Sequence, residues 1–155
     1  MKSQIIFLST ALILLAGFTI NSTLKLHHDE EDIKEALETG YVHGAFNELN
    51  PDAMAETFHE DFAIFSPGKD GKINRYTIAN WIEGTKKRKS DPNFDPANNK
   101  WEHTFKRVDV SGKAAHVELE LHRNGKHVYT DYLSLLKFDD QWKVVAKVYH
   151  EYKTP

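Results

Sequence analysis

The chain has 155 residues, 40% of them hydrophobic and 28% charged, with a formal net charge of −3. That is enough chain for one domain with its own core, in an ordinary globular composition, and the charge gives no reason to expect a nucleic-acid partner. The chain has no cysteine, which excludes a disulfide framework, a thiolate nucleophile and a lipoprotein-type acylation site.

Residues 1–23 read as an export signal, because Lys2 precedes an apolar run from Ile5 to Ile20 and small polar residues follow. The run suits a signal-peptide core and is short for a membrane span, which needs about 20 residues. The mature chain is expected to begin between Ile20 and Lys25, secreted or periplasmic and free of the membrane after cleavage. An uncleaved anchor is the alternative, and it exports the domain equally. Residues 24–31 read as a polar linker. Its "HHDEED", His27 to Asp32, places histidines beside carboxylates, a metal-binding composition. The same acids suit a solvated linker entering a helix, so no metal is expected there.

The domain proper is expected over residues 32–153. From Glu31 to Leu49, a stripe of Ile33, Leu37, Tyr41, Ala45 and Leu49 predicts a helix, widened on its apolar side by Val42 and Phe46. Asn50 and Pro51 stop it and open a second, short helix with Met54, Ala55 and Phe58 inward. "DFAIFSPG" reads as a strand ended by a turn, and "KDGKINRYT" as a turn and a short strand. Thr77 to Lys89 predicts a third helix with Ile78, Trp81 and Ile82 inward. Its terminal "KKRK" suits the negative end of the helix dipole better than an anionic partner. After the loop "SDPNFDPANN", strands are expected over Lys100–Val110, Lys113–Arg123, Lys126–Phe138 and Gln141–Tyr152, with Asn124-Gly125 the strongest hairpin signal. Helices followed by consecutive hairpins make an α+β fold.

This order, with "GYVHGAFNELNPDAMAETFHEDF", Trp81 and "DYLSLLKFDDQWKVVAKVYH", resembles the nuclear transport factor 2-like (SnoaL/ketosteroid isomerase-like) superfamily. Within it the chain is similar to the group described as putative lumazine-binding. The resemblance implies a cone, in which a strongly curved antiparallel sheet wraps three N-terminal helices and leaves a pocket at the open end. It also implies a homodimer through the convex sheet face, which would account for a last hairpin that is apolar on both sides. A fold of this kind hosts many functions, so it implies no particular chemistry.

Register decides which polar groups meet in that hairpin. A three-residue "DDQ" loop would set Phe138 opposite Trp142, Leu133 opposite Lys147 and Asp131 opposite Tyr149. Asp131 and Lys147 would then share one face with Leu133, Leu135 and Val145, while Trp142, Val144, Ala146 and Val148 would join Tyr132, Leu136 and Phe138 on the other. A two-residue loop would part Asp131 from Lys147. An Asp–Lys pair on an apolar face is either a buried ion pair that fixes the sheet or part of a pocket. The polar face of His116, Glu118, Glu120 and His122 has metal-binding residue types. Successive ligands there lie nearly 7 Å apart by the strand repeat, so a solvated or interface face is expected.

No Gly-rich phosphate loop, His-Glu-x-x-His or Gly-x-Ser-x-Gly motif is present. In ketosteroid isomerase relatives a proton-abstracting aspartate precedes the proline closing the first strand. Ser66 stands there in this chain, a poor base, although Tyr41 lies near the family's oxyanion tyrosine. The expectation is therefore an exported, dimeric domain that binds a small, partly apolar or aromatic molecule without a cofactor. Its ligand-binding residues are expected to be Tyr41, Trp81, His103, Asp131, Lys147 and Tyr149. Two alternatives stand: an isomerase, cyclase or dehydratase using His103 or His59 as base, and an interaction module with a vestigial pocket.

Overall fold

The structure, a computed structural model, describes residues 25–153; the export signal expected over 1–23 lies outside them. Helix α1 spans residues 25–47 and is π-helical over Leu37–Asn47. Helix α2 is Pro51–Thr57 and α3 is Ile78–Lys89. The strands are β1 Phe58–Pro67, β2 Ile73–Thr77, β3 Glu102–Ser111, β4 Ala114–Arg123, β5 Lys126–Phe138 and β6 Gln141–Glu151. They form one curved sheet in the order β2-β1-β6-β5-β4-β3. Every neighbour pair is antiparallel except β1–β6. The α+β cone is as expected, with one parallel seam in its sheet.

The four-residue stripe explains why α1 changes its winding. An α-helix repeats every 3.6 residues, so a strict repeat of four slips steadily round its surface. A wider π turn, with its i→i+5 bonding, slips it back. Ile33, Leu37, Tyr41, Ala45 and Leu49 are accordingly all fully buried. The wide bonding runs to the end, where Glu48 N donates to His43 O at 2.8 Å. Leu49, at φ 52°, turns the chain out, and Asn50 Oδ1 caps α2 by accepting from Asp52 N and Ala53 N. Gly40 lets the two helices close on each other: a Cβ there would lie 1.9 Å from Thr57 Oγ1.

The inward face of the sheet carries Val117, Leu119, Leu121, Leu133, Leu135, Trp142 and Val144, packed against Ile33, Leu37, Tyr41, Met54 and Phe62. Trp142 and Val144 were expected on the outer face, and the β5–β6 turn explains the difference. It has two residues, Asp139 and Asp140, both at positive φ, and Phe138 pairs with Gln141 rather than Trp142. A bulge then makes good the shift: Ser134 pairs with Ala146 and Leu135 with Val144, leaving Val145 without a partner. Beyond the bulge the expected pairs Leu133↔Lys147 and Asp131↔Tyr149 are restored. Residues of β6 on the turn side of Val145 thus face opposite to expectation, and those beyond it face as expected.

Residues 25–31, read as linker, are helical, and Asp29 is buried because it has partners in the sheet. Its Oδ1 accepts from Lys137 Nζ at 2.6 Å and from Trp142 Nε1 at 3.3 Å. Burial alone would raise the Asp29 carboxyl, but these two hydrogen bonds and the lysine charge outweigh it and hold the group below its usual 3.8. A carboxyl depressed by folding contributes stability that is complete above its unfolded value and lost as pH falls through the folded one. Asp29→Ala should therefore cost about 1–3 kcal/mol in urea unfolding at neutral pH. The difference from the parent should shrink below the unfolded carboxyl value, as followed by tryptophan fluorescence.

Candidate functional site

At the open end of the sheet, inward side chains converge from several elements. Ile64 and Ser66 lie two apart on β1, as do Lys147 and Tyr149 on β6, and the parallel seam pairs Ile64 with Lys147. Tyr129 precedes Asp131 by two on β5, so both share the inward face. Tyr76 comes from β2, Trp81 from α3 and Phe46 from α1. Except for Asp131, which lies behind, these residues line a cavity of about 240 Å³.

Against that cavity lies a buried polar triad. Asp131 has no exposed surface and Lys147 only 4%. Tyr41 donates to Asp131 Oδ2 at 2.5 Å, and Lys147 Nζ donates to Tyr41 Oη at 2.5 Å. Lys147 Nζ also lies 2.7 Å from Asp131 Oδ1. That oxygen makes no directed hydrogen bond, so the contact is an ion pair off the hydrogen-bond line. Burial, then the neighbouring carboxylate, push the Tyr41 phenol well above its usual 10.0, which keeps it a donor. Burial lowers Lys147 from its usual 10.5, and Asp131 offsets this only in part.

The ammonium is also caged by rings. Its nitrogen lies 5.0 Å from the Tyr41 centroid, 5.1 Å from Tyr149, 5.8 Å from Trp81, 5.9 Å from Tyr129 and 6.0 Å from Phe46. At these distances the negative ring faces attract a cation, by about 0.5–2 kcal/mol for a well-placed ring. An ammonium has three donors. Tyr41 takes one and Asp131 balances the charge from off the hydrogen-bond line, so the other N–H groups have no directed protein acceptor among the described residues.

Of the six residues expected at one site, the structure brings together Tyr41, Trp81, Asp131, Lys147 and Tyr149. His103 stands apart, with Nε2 3.3 Å from Glu38 Oε1 and its ring edge-on to Phe105. It does face inward, as its alternation implied, but α1 supplies a carboxylate that holds it away from the cavity. His59 stacks on Phe138 and lies beside Asp61. No histidine is among the residues that line the cavity, so neither His103 nor His59 is placed at it. Ser66 does line it. Phe46, Tyr129, Ile64 and Tyr76 were not singled out from the sequence, although Tyr129 was legible as the same-face neighbour of Asp131.

A second cleft, about 580 Å³, is lined by Asp32, Glu35, Thr39, Glu56, Thr57, Asp140, Trp142 and Lys143 among others. It is wide and carries solvated acids rather than converging groups. On the outer face, Glu120 and His122 of β4 approach His127 of β5, their ligand atoms within 4.8 Å of one another. The two imidazoles stack at 4.8 Å, so their in-plane lone pairs do not converge on one point.

A family model described as putative lumazine-binding matches residues 28–150. The chain belongs to that family. No curated protein matches it in sequence. Among solved structures, an NTF2-like protein of unknown function from Shewanella baltica is 24% identical, with 82% of this chain and 96% of that one covered at a TM-score of 0.65. One from Methylobacillus flagellatus, also of unknown function, is 25% identical over 81% of this chain and 94% of its own, at 0.60. A CaMKII hub from S. rosetta shares the fold at 16% identity, with 79% of this chain and 96% of that one covered, at a TM-score of 0.53. These likenesses establish the NTF2-like fold for this member of the putative lumazine-binding family.

Stability separates the parts of the triad. Removing one partner of a buried ion pair strands the other, at a cost of about 3–5 kcal/mol, whereas replacing both by apolar groups is often neutral. Asp131→Ala should thus destabilise by that amount in chemical unfolding. Asp131→Ala with Lys147→Met should recover most of the loss.

Proposed function

We propose that this protein is an exported binding domain for a small, flat, partly apolar molecule held in the aromatic cavity. What carries the reading is that Lys147, among the cavity-lining residues, has an N–H that no atom of the described residues accepts, with its charge already balanced by Asp131. A ligand need not be an anion to bind there. It needs one acceptor oxygen or nitrogen for that N–H and a flat apolar body for Trp81, Tyr129 and Tyr149. A few polar groups that orient a mostly apolar ligand are the usual pattern of such sites. The volume of about 240 Å³ suits one or two fused rings. The family's descriptive name points the same way, since lumazine is a flat bicycle that carries carbonyl oxygens. The lining residues select that class and no single member of it.

A homodimer through the outer sheet face completes the proposal. Tyr132, Leu136, Phe138 and Val148 are each 38% to 50% exposed there, and Tyr132 pairs directly with Val148. A patch in the middle of a sheet, with helices only on the other side, leaves a second copy as the natural cover. The expectation that Trp142 takes part is withdrawn, because its indole is bound to Asp29. Export rests on the sequence of residues 1–23 alone.

Native mass spectrometry of protein purified from its own cells tests all three. The proposal expects a mature chain starting between Ile20 and Lys25, twice the chain mass, and a small retained ligand released on denaturation. A dimer should become monomer on Tyr132→Lys. A ligand-free species from cells, with no small aromatic compound restoring a mass shift, would count against the binding reading.

A further inference from the structure

A purely structural ion pair would be expected to be sealed on all sides. This pair is wholly enclosed on the carboxylate side, where Asp131 has no exposed surface, while Lys147 is among the residues that line the cavity. An amine in such a place is a nucleophile in waiting if three conditions hold. It must be able to lose a proton, the proton must have somewhere to go, and a carbon electrophile must be able to reach it.

Each condition has a residue behind it. The rings of Tyr41, Trp81 and Tyr149 surround Nζ with low-polarity material, and desolvation favours the neutral amine. Tyr41 Oη touches both Lys147 Nζ and Asp131 Oδ2 at 2.5 Å, so it bridges donor and acceptor for a proton. Ser66 lines the same cavity, and its hydroxyl can bond a carbonyl oxygen. No other lysine lines that cavity.

From this geometry we infer that Lys147 forms an imine with an aromatic aldehyde or ketone held in the cavity. This rests on the binding reading above and names its ligand class more narrowly. The ammonium passes one proton by way of Tyr41 to Asp131, and the freed nitrogen lone pair attacks the carbonyl carbon. The carbonyl π electrons go to oxygen, which takes a proton from the attacking nitrogen and becomes the hydroxyl of a carbinolamine. That hydroxyl takes up the proton held by Asp131, returned by way of Tyr41, and leaves as water while the nitrogen lone pair forms the C=N bond. Overall, one ammonium and one carbonyl give one protonated imine and one water, with no oxidant or reductant. Charge balances too, since the iminium replaces the ammonium beside the Asp131 carboxylate.

The test uses the mature protein with para-fluorobenzaldehyde and sodium cyanoborohydride, which reduces an imine to a stable secondary amine. Peptide mapping then locates the adduct, and no variant is needed for this readout. The inference expects the label to concentrate on Lys147, ahead of every exposed lysine, and to be lost in Lys147→Met with the fold confirmed by circular dichroism. Excess para-fluorobenzyl alcohol, which fits the cavity but has no carbonyl, should protect Lys147 and leave surface labelling unchanged. In parallel, fluorine NMR of that alcohol reports binding alone. If the alcohol binds and Lys147 stays unlabelled while surface lysines react, the imine is overturned and the binding reading survives. If the alcohol does not bind and Lys147 is not labelled, both fall.

Discussion

The ion pair between Lys147 and Asp131 is the constraint on which the open end of the cone depends. A charge taken out of water on an apolar face is tolerated only with an opposite charge and hydrogen bonds in place. Here the opposite charge comes from the neighbouring strand, the hydrogen bond from a helix, and the remaining enclosure from aromatic rings. A helix near the start of the domain is thereby held against its last two strands. Tyr41 and Asp131 are 90 residues apart, and Tyr41 and Lys147 are 106 apart. The widened winding of α1 brings Tyr41 to the sheet, and the Val145 bulge brings Lys147 to the inward face.

Much of the fold was legible because its signals are local. Asn50-Pro51 marks the α1–α2 break and Asn124-Gly125 the β4–β5 turn, and both lie where such residues force them. The pairing of Asp131 with Tyr149 was also legible, though the expected loop length was wrong. One extra residue in the loop and one extra residue in the strand displace the register equally. Period alone cannot tell them apart beyond the bulge. It differs only between turn and bulge, which is why Trp142 and Val144 face the core and not the outer surface.

What was not legible depends on partners far away in the chain. His103 alternates correctly with Trp101 and Phe105, but the Glu38 that claims it belongs to a helix 65 residues earlier. Asp29 looked like a linker acid because Lys137 and Trp142, which make its burial tolerable, lie more than 100 residues on. The cavity itself arises from the crossing of β1 and β6, a parallel contact that a reading by consecutive hairpins does not supply. Ile64 and Tyr76 entered the site through that seam and its β2 neighbour.

The central claim is that Lys147 is a buried ammonium held by Tyr41 and Asp131 inside an aromatic cage. Nitrogen-15 NMR of the lysine side chains tests it directly. The account predicts one ammonium resonance that is slow to exchange with water, displaced by ring currents and in cross-relaxation with Tyr41, Trp81 and Tyr149 ring protons. Asp131→Ala should abolish it. A Lys147 signal that exchanges as fast as the surface lysines and lies among them in shift would contradict the account.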